Sequence, residues 1–182
     1  MTPELDVVTE PSFLSDLGDR PMEELRAVRS RCQALENSLS FVRRMIQGRV
    51  DIVGGETQRR RDGGDEGNIS QLIGRPPDIL SDGSRSDGGP ASVRPPHSMD
   101  PDPVVTDQLQ ARLEGIVSAA QLGSVTEVTN DDLTGMLLGL TTFEDEVSAH
   151  RRKLHGIIDQ VQQEVMRRYS SGEATVDSLL GG

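Results

Sequence analysis

The chain carries the same five-residue polar pattern twice, in two stretches that lie 108 residues apart. The pattern is E-x-x-x-S-x-x-R-x-x-x-(Q or H)-x-x-x-D, and its members are Glu36, Ser40, Arg43, Gln47, Asp51 and Glu144, Ser148, Arg151, His155, Asp159. At about 100° per residue these spacings place each set on one stripe of a helix. An arginine can bond O6 and N7 of guanine, and a carboxylate can accept the N1 and N2 hydrogens. The two stripes are therefore candidate contacts for a guanine base.

Cationic residues next to the two stripes suggest a second kind of contact. They are Arg44, Arg49, Arg152 and Lys153, on a chain whose formal net charge is −11. Local positive charge of this kind attracts phosphate groups. The predicted ligand is accordingly a guanine nucleotide.

The first stripe lies on a stretch whose apolar residues recur every three or four positions, the spacing of a coiled-coil seam. Pro21 suits the first turn of a helix, Gly54 and Gly55 suggest its end, and Arg49 fills one skipped place in the seam. We expect a helix over residues 22–53, with a seam formed by Leu25, Val28, Cys32, Leu35, Leu39, Val42, Ile46 and Val53.

The second stripe lies on a stretch with the same apolar spacing, which predicts a second long helix over residues 141–170. Thr141 and Glu144 suggest a capping box at its start. Its seam residues are Val147, Leu154, Ile157, Val161 and Val165, with His150 at the intervening place. Within residues 103–140 we expect two shorter accessory helices, 106–122 and 131–140, the latter with Thr129 or Asn130 as its N-cap.

Long helices with one apolar seam are not stable alone in water, so we expect these two to pack against each other. The predicted fold is all-α, with two long helices in an antiparallel coiled coil, a long disordered linker and short accessory helices. A parallel pair stays open, since the linker is long enough to span the helices.

The remaining segments are predicted to lack a core of their own. Residues 54–102 are rich in glycine and proline and are interpreted as a flexible linker. Within it, the stretch from Ile69 to Leu80 could dock a partner or could be plain linker. Residues 1–21 are expected to form an N-terminal segment with a short helix, and residues 171–182 a disordered tail.

Composition narrows the classes of function. The negative charge excludes a basic protein that wraps nucleic acid. No glycine-rich phosphate loop, H-E-x-x-H motif or zinc-type cysteine cluster is present, and His97, His150 and His155 lack metal-ligand spacing. We expect no enzyme, no bound metal and no direct DNA binding. Without an 18-residue apolar run or an export signal, the chain is expected to be a soluble cytoplasmic protein that does not contact the membrane, in which Cys32 forms no internal disulfide.

Two less specific interpretations of the stripes stay open at this stage. Charged residues beside a seam usually form a solvated face. Duplication of one helix would also keep identical residues without a shared function, and residues 36–53 and 144–161 are identical at seven of eighteen positions. Either interpretation leaves a coiled-coil adaptor that binds a partner without any nucleotide.

The repeated pattern resembles one family in particular. An E-x-x-x-S-x-x-R-x-x-x-Q-x-x-x-D motif repeated on an antiparallel coiled coil is similar to the RsiG family of actinobacterial anti-sigma factors, which bind cyclic di-GMP and hold the sporulation sigma factor WhiG. The motif covers 16 residues in each helix. His155 departs from it, because the family pattern has glutamine there and histidine adds a group that titrates near neutral pH.

The resemblance implies a ligand, a partner and a role for each residue. Cyclic di-GMP would bind as a partly intercalated dimer, gripped by Arg43 and Arg151 and read at its Watson-Crick edge by Asp51 and Asp159. The other stripe residues would complete the contacts: Glu36, Ser40, Gln47, Glu144, Ser148 and His155. The resemblance further implies a nucleotide-dependent ternary complex that keeps a WhiG-type sigma factor from polymerase.

Overall fold

The computed structural model of the chain describes residues 1–63 and 100–172, and in these residues every regular element is a helix. The helices are α1 (Pro3–Val8), α2 (Met22–Arg61), α3 (Pro103–Ile116), α4 (Ala119–Gly123) and α5 (Asn130–Ser171), with 3-10 turns at Pro11–Leu14 and Val125–Glu127. The all-α prediction is confirmed. Most of the predicted linker, including His97 and the stretch from Ile69 to Leu80, lies outside the described residues, as does the predicted tail beyond residue 172.

The described residues divide into two compact units. Unit 1 contains residues 1–43, 100–109 and 146–172, and unit 2 contains residues 44–63 and 110–145. Each unit therefore combines part of α2 with part of α5. In none of the described residues does a helix have the length and apolar character needed to cross a membrane.

In unit 1 the two long helices pack antiparallel. Arg29 of α2 donates to the Gln162 side chain at 2.6 Å, and Arg43 donates to Ser148 at 3.0 Å, so contacts move backwards along α5 as they advance along α2. The core contains most of the predicted seam residues of unit 1, joined by Leu5 and Val8 of α1 and by Val105 and Leu109 of α3, whereas Val28 is only half-buried. The antiparallel direction is confirmed, and so is the predicted seam apart from Val28 and His150.

In unit 2 the later part of α2 packs against the first part of α5. Ile46 and Val53 of α2 are buried there. They share the core with the following residues of α3, α5 and the segment between them: Leu113, Val117, Val125, Leu133, Leu140 and Phe143. Near the end of α2, Arg60 donates to the side chain of Asn130, the first residue of α5, at 2.9 Å.

The end of α2 differs from the prediction. The helix runs through Gly54 and Gly55 and ends at Arg61, eight residues later than expected. Two internal glycines each cost a helix about 1 kcal/mol, a penalty that packing within a folded unit can outweigh. Here the buried Glu56 and its bonds to Arg59 and Arg60 hold the extra turns in unit 2. The chain leaves the helix at Gly63, whose φ of 82° suits glycine and few other residues.

The start of α5 also differs from the prediction. The predicted helix 131–140 and the predicted second long helix are one continuous element that begins at Asn130. Thr141 caps nothing, because it lies inside the helix and its hydroxyl donates to the Leu137 carbonyl at 2.8 Å. Thr129 is the N-cap, as predicted for the shorter helix: its hydroxyl oxygen accepts the backbone N–H of Asp132 at 3.2 Å.

The accessory helices are divided differently from the prediction as well. Instead of one helix over 106–122, α3 ends at Ile116 and α4 begins at Ala119. Ser118 forms the break, since it makes a complete capping box with Gln121 at the start of α4.

The order of elements repeats at the same offset as the polar pattern. α2 begins at Met22 and α5 begins 108 residues later at Asn130, while α1 ends at Val8 and α3 ends 108 residues later at Ile116. The short helical turn at residues 11–14 likewise corresponds to α4. The repeat therefore extends beyond the two stripes to the segments that precede the long helices.

Candidate functional site

Glu36 is the centre of a polar cluster between α2 and α5 in unit 1. Its side chain follows the seam residue Leu35 and is only 6% exposed. The Oε1 atom of Glu36 accepts hydrogen bonds from Arg151 Nε and Ser40 Oγ, both at 2.7 Å. His155 Nε2 lies 3.3 Å from the same oxygen. Three members of the two stripes thus converge on one carboxylate.

The surroundings of Glu36 keep it charged. Burial alone raises the pKa of a carboxyl group, but this effect is outweighed by hydrogen bonds from Arg151 and Ser40 and by the charges of His155 and Arg151. The net result is a Glu36 pKa below its ordinary value. At neutral pH the carboxylate is therefore a stable acceptor for the Arg151 guanidinium group.

Arg43 makes a second contact between the two stripes, to a different repeat position. Its Nε donates to Ser148 Oγ on α5 at 3.0 Å. Arg43 and Arg151 occupy the same position of the repeat, so each copy's arginine bonds a stripe residue of the other copy. Unit 1 brings together six of the ten predicted site residues: Glu36, Ser40, Arg43, Ser148, Arg151 and His155.

The other four predicted residues are distributed over both units. Asp159 is exposed on α5 in unit 1. In unit 2, Asp51 is exposed, whereas Gln47 and Glu144 are half-buried. The exposed carboxylates are open to solvent and to any ligand that approaches those helix faces.

The expectation of a fully exposed stripe is wrong for Glu36. Periodicity places that residue on the flank of the seam, but Arg151 and His155 of α5 lie against it. Most other stripe residues are half-buried, and only Asp51, His155 and Asp159 are exposed. The stripes are therefore partly covered by each other's long side chains.

One of the four predicted phosphate ligands is also wrong. Arg49 is 8% exposed and donates to the backbone carbonyls of Leu113 and Val117 and to the Glu114 carboxylate, all at the end of α3 in unit 2. These contacts just beyond the end of α3, where a helix leaves carbonyl groups in need of donors, occupy the Arg49 guanidinium group, so it is not available to a ligand. Arg44, Arg152 and Lys153 are exposed.

His150 occupies its predicted seam position but is only half-buried. Its Nδ1 lies 3.0 Å from the Glu146 carbonyl, and its Nε2 lies 3.9 Å from Asp6 of α1. Across residues 1–63 and 100–172, no three His, Cys, Asp or Glu side chains are grouped to hold a metal ion.

Sequence reasoning missed a second identical pattern. Glu56, Arg59 and Arg60 near the end of α2 correspond at the same offset of 108 to Glu164, Arg167 and Arg168 near the end of α5. The signal was present in the sequence, but it begins three residues beyond the aligned stretches 36–53 and 144–161. Both sets form ion-pair clusters in the structure.

Comparison with known proteins gives one match. The profile of a family described as RsiG-like matches residues 11–80 and 119–181, which together make up most of the chain and include both stripes. No curated protein was found to match the chain at a significant level.

Proposed function

Because the chain belongs to the RsiG-like family, we propose that it is an anti-sigma factor that binds cyclic di-GMP through its two polar stripes and then holds a WhiG-type sigma factor. The family is one of regulators and is not an enzyme family. The proposal includes a cytoplasmic site of action and no catalytic step. The observation that supports it best is the direct contact between the two stripes in unit 1, where Arg151 bonds Glu36 and Arg43 bonds Ser148.

Ligand binding on this proposal is an exchange of partners. Arg151 and Arg43 bond Glu36 and Ser148 in the ligand-free protein. A guanine base offers O6 and N7 to a guanidinium group in a bidentate arrangement, which can replace one bond to a carboxylate or hydroxyl. The released Glu36 carboxylate and Ser40 hydroxyl then become available to the N–H groups of the ligand.

The exposed aspartates supply the second half of guanine recognition. Asp51 and Asp159 end the two stripes, and each carboxylate can accept both the N1 and N2 hydrogens of one guanine. Adenine has an amino donor and no N1 hydrogen at that edge, so it would leave the carboxylate without a matching donor. The proposal therefore includes selectivity for guanine over adenine dinucleotides.

The nucleotide would couple the anti-sigma factor to its partner. Two cyclic di-GMP molecules carry four phosphate charges, and together with the acidic chain they would face the basic DNA-binding surface of a sigma factor. By linkage, a ligand that tightens sigma-factor binding is itself bound more tightly in the complex, by the same factor. A fall in cyclic di-GMP would then release the sigma factor.

Isothermal titration calorimetry tests the site directly. The parent protein is expected to bind cyclic di-GMP, and Arg151→Ala is expected to lose at least about 1.4 kcal/mol of binding free energy, a tenfold loss of affinity. Arg61→Ala is the control, because Arg61 is an exposed arginine that lies outside both stripes and is not among the predicted phosphate contacts. Asp51→Ala should behave like Arg151→Ala, with unchanged helical content by circular dichroism. Equal affinities of the parent, Arg151→Ala and Asp51→Ala would refute the assignment.

A nucleotide-independent adaptor is the second candidate, and one observation favours it. The arginines of both stripes already have partners inside the protein, as a purely structural polar row would. This candidate predicts no heat of binding from cyclic di-GMP and capture of a protein partner without it. The same titration separates the two candidates.

A further inference from the structure

Both long helices end in the same five-residue motif, E-x-x-R-R. In unit 2, Arg59 forms a two-bond ion pair with Glu56, through Nε at 2.7 Å and Nη2 at 2.8 Å. The Nε atom of Arg60 donates to the same carboxylate at 2.6 Å. Glu56 is fully buried, so both arginines are held in place by one acceptor that water does not reach.

The remaining nitrogens of Arg60 bind the segment that precedes α5. Nη2 donates to the carbonyls of Thr126 at 2.9 Å and Val125 at 3.4 Å, and Nη1 donates to the Asn130 side chain. The end of α2 is therefore bonded to the chain that leads into the start of α5.

Unit 1 has the same arrangement with the helices exchanged. Arg167 pairs with Glu164 through Nε and Nη2, both at 2.9 Å, and Arg168 Nε donates to Glu164 at 2.7 Å. Arg168 then donates to three carbonyls just before α2: Leu17 at 3.2 Å, Gly18 at 2.8 Å and Arg20 at 2.5 Å.

Two carbonyl acceptors of each arginine correspond between the two units. Leu17 and Gly18 match Val125 and Thr126 at the offset of 108 that also relates the stripes and the helix starts. Because the same contacts occur at equivalent positions of both repeats, we attribute a structural role to them. We call these two clusters the arginine clamps: Glu56, Arg59 and Arg60 in unit 2, and Glu164, Arg167 and Arg168 in unit 1.

The clamps oppose sliding of one long helix along the other. An apolar seam fixes axial register weakly, since its side chains recur every few residues, whereas polar groups with directional bonds specify it. A shift of one residue moves a helix by about 1.5 Å, enough to break bonds of the length seen here. In unit 1 the same shift would separate Arg151 from Glu36 and Arg43 from Ser148.

We infer that Arg168 and Arg60 are positioning residues for nucleotide binding: each fixes the start of one long helix against the end of the other and so keeps the stripe residues in register. This inference rests on the proposed function. Neither arginine touches the ligand. Together, the stripe and the clamp of each repeat cover 25 residues, from Glu36 to Arg60 and from Glu144 to Arg168.

The chain supplies a matched control for the clamp in unit 1. Arg167 pairs with the same carboxylate as Arg168 but is exposed, whereas Arg168 is buried and donates to the carbonyls before α2. Arg168→Gln and Arg167→Gln each leave one arginine to neutralise Glu164. Calorimetry with cyclic di-GMP is expected to show an affinity loss of about tenfold or more in Arg168→Gln and less than about twofold in Arg167→Gln. Arg60→Gln repeats the test in unit 2.

A distance measurement tests the register without any nucleotide. Spin labels on Ser30→Cys and Gln160→Cys report the distance between the exposed faces of α2 and α5 in unit 1. Cys32 is fully buried, and burial raises the pKa of its thiol to about 11, so we expect this native cysteine to stay unlabelled at neutral pH. One narrow distance is expected in the parent and in Arg167→Gln, and a broad or second distance in Arg168→Gln.

Two results would overturn the inference. One is an Arg168→Gln variant that keeps the parent's narrow distance. The other is an Arg168→Gln variant with a broadened distance but the parent's affinity for cyclic di-GMP, which would make the clamp purely structural. Failure of the parent to bind cyclic di-GMP would instead refute the proposed function, and the distances would still decide whether the clamp sets the register.

Discussion

Unit 1 and unit 2 are built from corresponding parts of one repeat, yet one seam position is filled by an arginine in unit 2 and by an isoleucine in unit 1. Arg49 of α2 in unit 2 corresponds to Ile157 of α5 in unit 1, and both side chains are buried. Ile157 needs only apolar neighbours, whereas Arg49 needs the carbonyls at the end of α3. The residue type at a seam position can therefore differ between the two copies, while the stripes and clamps have nearly the same residues in both.

This difference separates positions whose residue type is determined by packing from positions whose residue type is determined by specific hydrogen bonds. A buried seam position can hold an apolar side chain, or a polar one whose polar atoms have hydrogen-bond partners. A stripe or clamp position requires one donor or acceptor at one place. The residues that are identical in the two copies are therefore the better candidates for function.

Replacement of Arg49 should have the largest effect on the free energy of unfolding. Arg49→Ala removes a buried donor from the Val117 carbonyl and the partner of the Glu114 carboxylate, and we expect unfolding free energy to fall by about 2–3 kcal/mol. Urea denaturation measures the loss, and Arg44→Ala, an exposed neighbour, is the control. Equal midpoints for both variants would mean that Arg49 does not hold α3.

The seam and the all-α fold could be predicted from sequence, because an apolar period of 3.5 residues has one simple structural meaning. The helix ends could not. Gly54 and Gly55 favour a stop locally, and only the buried Glu56 and its arginines explain why α2 continues. The hydrogen-bond partners of the stripe residues could not be predicted either. Periodicity places Glu36 on a flank of the seam but does not show that Arg151 lies against it.

Replacement of Glu36 tests the polar cluster that supports the site in unit 1. Glu36→Ala removes the acceptor shared by Arg151, Ser40 and His155, and an expected loss of about 1 kcal/mol allows for solvent screening of the half-exposed arginine. Urea denaturation at neutral pH measures it. An unfolding midpoint equal to the parent's would show that the cluster adds nothing to stability.

Acid should weaken the two clamps by protonating their carboxylates. Hydrogen bonds from Arg167 and Arg168 lower the pKa of Glu164 to about 2, and those from Arg59 and Arg60, against the opposing effect of burial, lower that of Glu56. A lowered carboxyl pKa gives stability that is complete above the unfolded value near 4.5 and is lost as pH falls towards the folded value. Thermal melts between pH 5 and about 2 should show a smaller decline of Tm in Glu164→Gln than in the parent. Parallel curves would refute the shift.

Replacement of Ser148 should have the smallest effect. Ser148→Ala removes one acceptor of Arg43, and because both side chains are half-exposed and make further interactions, the expected loss is about 0.5 kcal/mol. The same urea experiment measures it. A loss as large as that of Arg49→Ala would place this contact among the main supports of unit 1.

Capture of a purified WhiG-type sigma factor, with and without cyclic di-GMP, tests the central claim most directly. The account predicts that the immobilised chain retains the sigma factor only when the nucleotide is present. Arg151→Ala should fail to retain it under either condition, while Arg61→Ala should behave like the parent. Equal capture without any nucleotide would contradict the account and leave a nucleotide-independent adaptor in its place.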